Sequence, residues 1–173
     1  MDVSPPVSIP RLSTPRLQLR EYRMEDFDAF AAHLADPEAT AYLGVADRRT
    51  AWRIFGCQTG AWLLHGAGWW TVVRRDTGEV VGSVGAFFRE GLSGIELGWN
   101  TYRAFWGRGF ASEAAAEALR FAFEIRGEPH ARALIDAGNA ASIRVALRLG
   151  LRYDAEAELF GQPCSRYTIE RTS

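Results

Sequence analysis

Lysine is absent from the 173-residue chain, and all 20 of its basic residues are arginine. That absence excludes a Walker-type phosphate loop, a lysine Schiff base and a lysine nucleophile. Cysteine is scarce: Cys57 and Cys164 lack metal-ligand spacing and are too few for a disulfide framework. They read as reduced thiols that pack as small apolar groups. His33, His65 and His130 form neither a metal spacing nor a triad, so no metal site is expected. A charge excess is missing as well. The net charge of −1 provides no field for nucleic acid or an anionic membrane, and neither is expected as a partner. No apolar run approaches the roughly 20 residues of a membrane span, and residues 1–6 have no basic or apolar signal region. The expectation is a soluble cytoplasmic protein, monomer or homodimer, of a size that suits one domain.

What is present is 47% hydrophobic and 12% aromatic residues, enough for a folded core. Residues 1–15 hold four prolines and no periodic pattern, which predicts a loosely ordered N-terminal arm before a single domain over residues 16–173. Leu17-Gln18-Leu19-Arg20 alternates like a half-buried strand. Phe27, Phe30, Ala31 and Leu34 follow at helical spacing, and Asp36-Pro37 ends that helix. Residues 47–65 are helical in period but interrupted by Gly56 and Gly60, which predicts two short helices. Strands are expected over residues 69–75 and 80–88, around the turn Asp76-Thr77-Gly78, and over 95–100. An alanine-rich helix over 109–126, a strand over 131–136, a helix over 139–149 and strands over 151–159 and 166–171 complete an α+β chain.

The segment richest in chemical meaning is Trp106-Gly107-Arg108-Gly109-Phe110-Ala111-Ser112. A strand ends, a loop with two glycines follows, and a long helix begins. Glycines allow a tight turn and close backbone approach. The unpaired amides of a first helical turn form an anion site suited to a pyrophosphate, and Arg108 can add a charge-assisted contact. An ordinary glycine loop would look the same. A Rossmann fingerprint fits less well, because the third glycine is missing and the strands before the loop read as a meander rather than βαβ units.

The run from Trp106 to Ala114 closely resembles the acetyl-CoA loop of the GNAT acetyltransferases, in particular their ribosomal-protein N-terminal acetyltransferase (Rim-type) branch. Gly109 and Ala111 match the last two positions of the pattern Gln/Arg-x-x-Gly-x-Gly/Ala. Trp106 stands at the first, where that branch commonly has an aromatic. Thr14-Pro15-Arg16-Leu17, Asp76-Thr77-Gly78-Glu79-Val80-Val81-Gly82, Glu96-Leu97-Gly98-Trp99, and Asn139-Ala140-Ala141-Ser142 with Arg148-Leu149-Gly150-Leu151 resemble further family blocks in the family's order. The resemblance implies an acyl-CoA N-acyltransferase fold. Its mixed, mostly antiparallel sheet would have about seven strands, flanked by helices and splayed between strands four (95–100) and five (131–136). It also implies acetyl-CoA as co-substrate and a primary amine, on a protein N-terminus or a small molecule, as acceptor. A non-catalytic acyl-CoA-binding or sensor module on the same fold is the alternative.

Transfer of an acetyl group to an amine requires a neutral amine, donors for the oxyanion and a protonated leaving thiol. In Ile95-Glu96-Leu97-Gly98-Trp99 the apolar side chains share one face and Glu96 takes the other. Glu96 is the candidate base, with a solvent-facing glutamate as the plain reading. The resemblance implies that the backbone of Leu97, Gly98 and Trp99 holds the pantetheine arm and thioester, although Gly98 could equally mark a bulge. Asn139 and Ser142 suit a helix start. The resemblance also places them against pantetheine and thiol, where the Ser142 hydroxyl would attend the departing thiolate. Tyr153 is a rival for that acid role. Glu113, in a first helical turn, reads as structural.

Overall fold

Leu17 and Leu19 are fully buried, and the alternation they begin recurs through a sheet that carries most of the core. The computed structural model describes residues 7–172; the 1–6 segment examined for a secretory signal lies outside them. The strands are β1 (Leu12–Ser13), β2 (Leu17–Arg20), β3 (Gly68–Arg74), β4 (Val80–Phe87), β5 (Ile95–Thr101), β6 (His130–Ile135), β7 (Arg152–Leu159) and β8 (Gln162–Glu170). They form one open sheet in the order β1-β2-β3-β4-β5-β6-β8-β7, one strand more than the expected seven. The extra strand lies in the proline-rich stretch. Leu12 and Ser13 pair with Leu19 and Gln18, and the Trp70 indole N–H donates to the Pro10 carbonyl at 2.8 Å.

The helices are α1 (Phe27–Ala35), α2 (Arg48–His65), α3 (Phe110–Arg120) and α4 (Ala140–Arg148). Residues 48–65 form one helix rather than two. A Cβ built at Gly56 or Gly60 would meet nothing within 4 Å, so neither glycine marks a break or a close approach. The ends are fixed instead by Asp47, whose side chain accepts from the Thr50 amide, and by left-handed Gly66. The α3 pattern reached Arg126 by period, but the last turn, Phe121–Ile125, is a π-helix.

Two clusters hold the fold. Ala114, Ala115, Ala118 and Ala122 are buried with Val84, Ile95, Leu97 and Trp70 in the larger one, under α3. Their small side chains let α3 approach the sheet closely. Tyr22, Phe27, Phe30 and Phe55 form the second, around α1 and α2. Trp70 is fully buried and meets Trp62 and Phe121 edge-on at 4.7 and 5.0 Å; its truncation to alanine should cost about 3–5 kcal/mol.

The feature that positions the site is the one parallel pair among the described residues. β5 meets β6 only through Ile95 with Ala131 and Glu96 with Arg132, whereas β4 stays paired with β5 from Glu96 to Thr101. From Leu97 onward the strands part, as expected for this pair.

Candidate active site

At the end of β5 the chain makes a single 3₁₀ turn, Arg103–Phe105, and enters the glycine loop. Gly107 and Gly109 have φ of 74° and 77°, a region costly for residues with a Cβ. Gly109 is the N-cap of α3, with no side-chain cap. The first intrahelical bond of this turn runs from the Glu113 amide to the Gly109 carbonyl. The amides of Phe110, Ala111 and Ser112 therefore precede the ladder and point out of the helix start. Arg108 is exposed, 5.5 Å from the Phe105 ring. Trp106 is half-exposed, with its indole N–H on the Thr101 carbonyl. The Phe110 side chain lies in the core, so only its backbone faces the loop.

A clamp absent from the sequence reading holds this loop. The Glu113 carboxylate accepts from the Thr14 hydroxyl, the Arg16 amide (3.0 Å) and Arg16 Nε (2.6 Å), while Arg16 Nη1 donates to the Arg108 carbonyl at 3.0 Å. Burial opposes ionisation of Glu113, but these bonds hold its carboxyl below the usual range. Its structural role is therefore to tie the start of α3 to the segment before β2.

On the other side of the gap, Asn139 caps α4, its Oδ1 accepting from the Ser142 amide at 3.0 Å. The capping reading holds for Asn139. Ser142 is half-buried one turn into the helix. The connector between α1 and α2, residues 36–47, joins both sides. Arg103, just past β5, pairs with Asp36 and Glu38 at 2.9 and 2.7 Å. The Tyr42 hydroxyl donates to the Gly138 carbonyl just past β6.

Glu96 does not face solvent. It is 3% exposed, and its carboxylate accepts from both Nε (3.0 Å) and Nη2 (2.6 Å) of Arg89. Arg132 Nε lies 3.8 Å away. The Arg89 guanidinium in turn lies 5.5 Å from the Phe87 ring and 5.3 Å from the Phe160 ring. Gly98 has a packing explanation. A Cβ there would come within 2.6 Å of the Trp69 ring, and one at Gly85 equally close. The indole of Trp69 lies flat over both strands and stacks on Phe87 at 5.1 Å. Tyr153 is 54% exposed on the outer strand β7, against Tyr167. Cys164 is buried, and its burial pushes the thiol pKa up, which disfavours the thiolate a nucleophile needs. Of the expected residues, 96–99 lie on β5 where it leaves β6, 106–112 lead from β5 into α3, and 139 and 142 open α4, the helix that follows β6. The partners of Glu96 had no short-range signal by which to be found.

The sequence model of the acetyltransferase (GNAT) domain matches residues 16–152. The chain is 33% identical over 171 residues to the uncharacterized protein YkkB of Bacillus subtilis, an alignment that covers 91% of this chain and 94% of that one. It is 29% identical to the uncharacterized N-acetyltransferase p20 of Bacillus licheniformis, over 78% of each. A crystal structure of an acetyltransferase from Agrobacterium tumefaciens superposes with a TM-score of 0.87 at 31% identity, covering 99% of this chain and 100% of that one. No helix of the described residues is long and apolar enough to cross a membrane. The match across most of the chain, at the loop and at the parted strands, makes this protein a member of the GNAT family and an N-acetyltransferase.

Proposed function

We propose that the enzyme moves the acetyl group of acetyl-CoA to a primary amine by direct attack within the gap between β5 and β6. One observation supports this most: left-handed Gly107 and Gly109 deliver a first helical turn with its amides unpaired beside the point where the strands part. A Cβ at Gly107 would meet nothing within 4 Å, so the backbone there is open to close approach. In this reading the amides of residues 107–112, with Arg108 and Trp106 beside them, take the pyrophosphate. The β5 edge at Leu97, Gly98 and Trp99 holds the pantetheine amides and thioester, and Asn139 and Ser142 flank the sulfur from α4.

The amine nitrogen attacks the thioester carbonyl carbon, a C–N bond forms and the C–S bond breaks. The proton lost by the amine goes to Glu96 and is returned to the CoA sulfur, directly or through water, while the Ser142 hydroxyl hydrogen-bonds the thiolate as it leaves. Arg89 occupies one lone pair on each Glu96 oxygen and fixes the carboxylate's orientation, which leaves the other lone pair of each oxygen to take the proton. Direct attack fits the absence of an activated cysteine at the gap. The Rim-type placement is supported by the aromatic Trp106 at the head of the loop.

Calorimetry with CoA, alongside thiol release on a panel of amines, tests the reading. Gly109→Val should lower CoA affinity at least about 10-fold, because a β-branched residue resists positive φ and covers the amides. Unchanged affinity would remove the loop from the site. Binding without thiol release on any amine would favour the sensor module.

A further inference from the structure

Arg132 in β6 is 7% exposed and faces the same side of the sheet as Glu96, its register partner at the last paired position before the strands separate. Its Nη1 donates to the Ser93 carbonyl at 2.6 Å. Its Nε and Nη2 are buried and have no hydrogen-bond partner among the described residues. Those two groups form the side fork of a guanidinium, which matches a carboxylate in bidentate geometry. The chain uses the same fork in that way elsewhere: Arg11 on Glu21, Arg74 on Asp76, Arg89 on Glu96 and Arg120 on Glu117.

Charge points the same way. Three guanidiniums stand together here, those of Arg89, Arg132 and Arg166. Asp154 pairs with Arg166 at 2.6 Å, while Glu96 is bound in bidentate fashion by Arg89 and lies 3.8 Å from Arg132, so Arg132 shares its one counter-ion and makes no hydrogen bond to it. Burial disfavours its charged form most, Glu96 favours it, and the neighbouring Arg166 and Arg89 disfavour it, with a net shift of the pKa downward. A buried cation in this position is stabilised by an anion that supplies both bonds.

We propose that the amine acceptor of this enzyme carries a carboxylate, which docks on the Nε/Nη2 fork of Arg132. The inference rests on the acetyltransferase reading above and narrows its substrate class. Arg132 Nε is 3.8 Å from Glu96 Oε2. An acceptor with one or two carbons between amine and carboxylate therefore reaches both residues at once, its carboxylate on Arg132 and its ammonium proton toward Glu96. A free short amino acid and a peptide with an acidic first residue share this chemistry.

The test compares acids with their amides. Glycine and β-alanine are assayed against glycinamide and β-alaninamide, and the dipeptide Asp-Ala against Asn-Ala, by thiol release from acetyl-CoA. At least one acid should exceed its amide by about 10²-fold or more in kcat/KM, the scale of a lost buried ionic hydrogen bond. The pair that shows it identifies the source. That ratio should fall toward one in Arg132→Met and survive in part in Arg132→Lys. Measurable but equal rates for acid and amide in every pair, or a ratio unchanged in Arg132→Met, overturns the proposal. A second measurement does not depend on turnover or on a folded variant: the side-chain Nε–H resonance of Arg132 in the wild-type protein with CoA, titrated with N-acetylglycine. A saturable shift supports the carboxylate site, and an unmoved resonance overturns it. A shift without thiol release on any amine would uphold the site while overturning the transferase reading.

Discussion

Arg20 and Arg132 are equally buried, each 7% exposed, yet they are opposite in what surrounds them. The Nη1 and Nη2 of Arg20 form two 2.7 Å bonds to Asp26, and Nη1 also reaches the Glu21 carbonyl. Asp26 is itself completed by the Thr71 hydroxyl and the Arg23 amide. Arg132 has one backbone carbonyl and a carboxylate already engaged by another arginine. Burial alone therefore does not reveal what a charged residue is for. The count of satisfied donors says more: a closed network supports the fold, and an open fork can take a ligand.

The contrast can be broken most forcefully at Asp26. Asp26→Asn leaves Arg20 buried without its counter-ion and should cost about 3–5 kcal/mol in denaturant unfolding. The same pair carries a pH signature. Burial works against the charged carboxylate, but Arg20, the Arg23 amide and Thr71 outweigh it and lower the Asp26 pKa. A lowered folded pKa gives stability that is present above the unfolded value, about 4. That stability is lost as pH falls through the folded value. Wild type should accordingly lose stability in acid more steeply than Asp26→Asn.

Glu96→Gln sharpens the other side of the contrast. If Glu96 takes the amine proton, turnover per folded molecule should fall about 10²–10⁴-fold with little change in the KM for acetyl-CoA. Turnover intact per folded molecule, with lower stability alone, would make Glu96 a structural partner of Arg89 only.

Smaller effects are expected at the start of α4. Asn139→Ala should cost about 1 kcal/mol, the worth of a cap. Ser142→Ala keeps the amide that Asn139 holds, so its stability should change less while turnover falls, most of all with weakly nucleophilic amines. Full activity in Ser142→Ala would remove the hydroxyl from the thiolate. The smallest stability change belongs to Arg132→Met. Removing a buried cation that only shares its counter-ion relieves its desolvation and forfeits one hydrogen bond, so the cost should stay below about 1 kcal/mol by thermal unfolding. A loss comparable to Asp26→Asn would mean that Arg132 supports the fold as Arg20 does.

Features set by neighbours in the chain were legible before the fold was known. Alternation in 17–20, helical spacing in 27–34, the turn at 76–78 and the Asn139 cap all depend on separations of about four residues or fewer. The glycine loop belongs here too, because positive φ at 107 and 109 is a local demand that glycine meets at little cost. Even within that range the sequence misled at Gly56 and Gly60, where propensity argued for a break. Burial of Ala51, Phe55 and Trp62 along one side of α2 prevailed.

The amino-acid sequence by itself determined the elements, their order and the helix start that faces the gap. Only the tertiary structure decided which charges meet. Arg16 reaches Glu113 across 97 positions and Arg103 reaches Glu38 across 65. Trp69 covers Gly98 from a different strand. Glu96 could be placed on a strand face from its neighbours, but not assigned to Arg89 in preference to Arg132. Ion pairs depend on distance, direction and desolvation in three dimensions. Packing where β5 leaves β6 brought half-buried Arg89 and buried Arg132 to one carboxylate and left the second fork without a partner among the described residues.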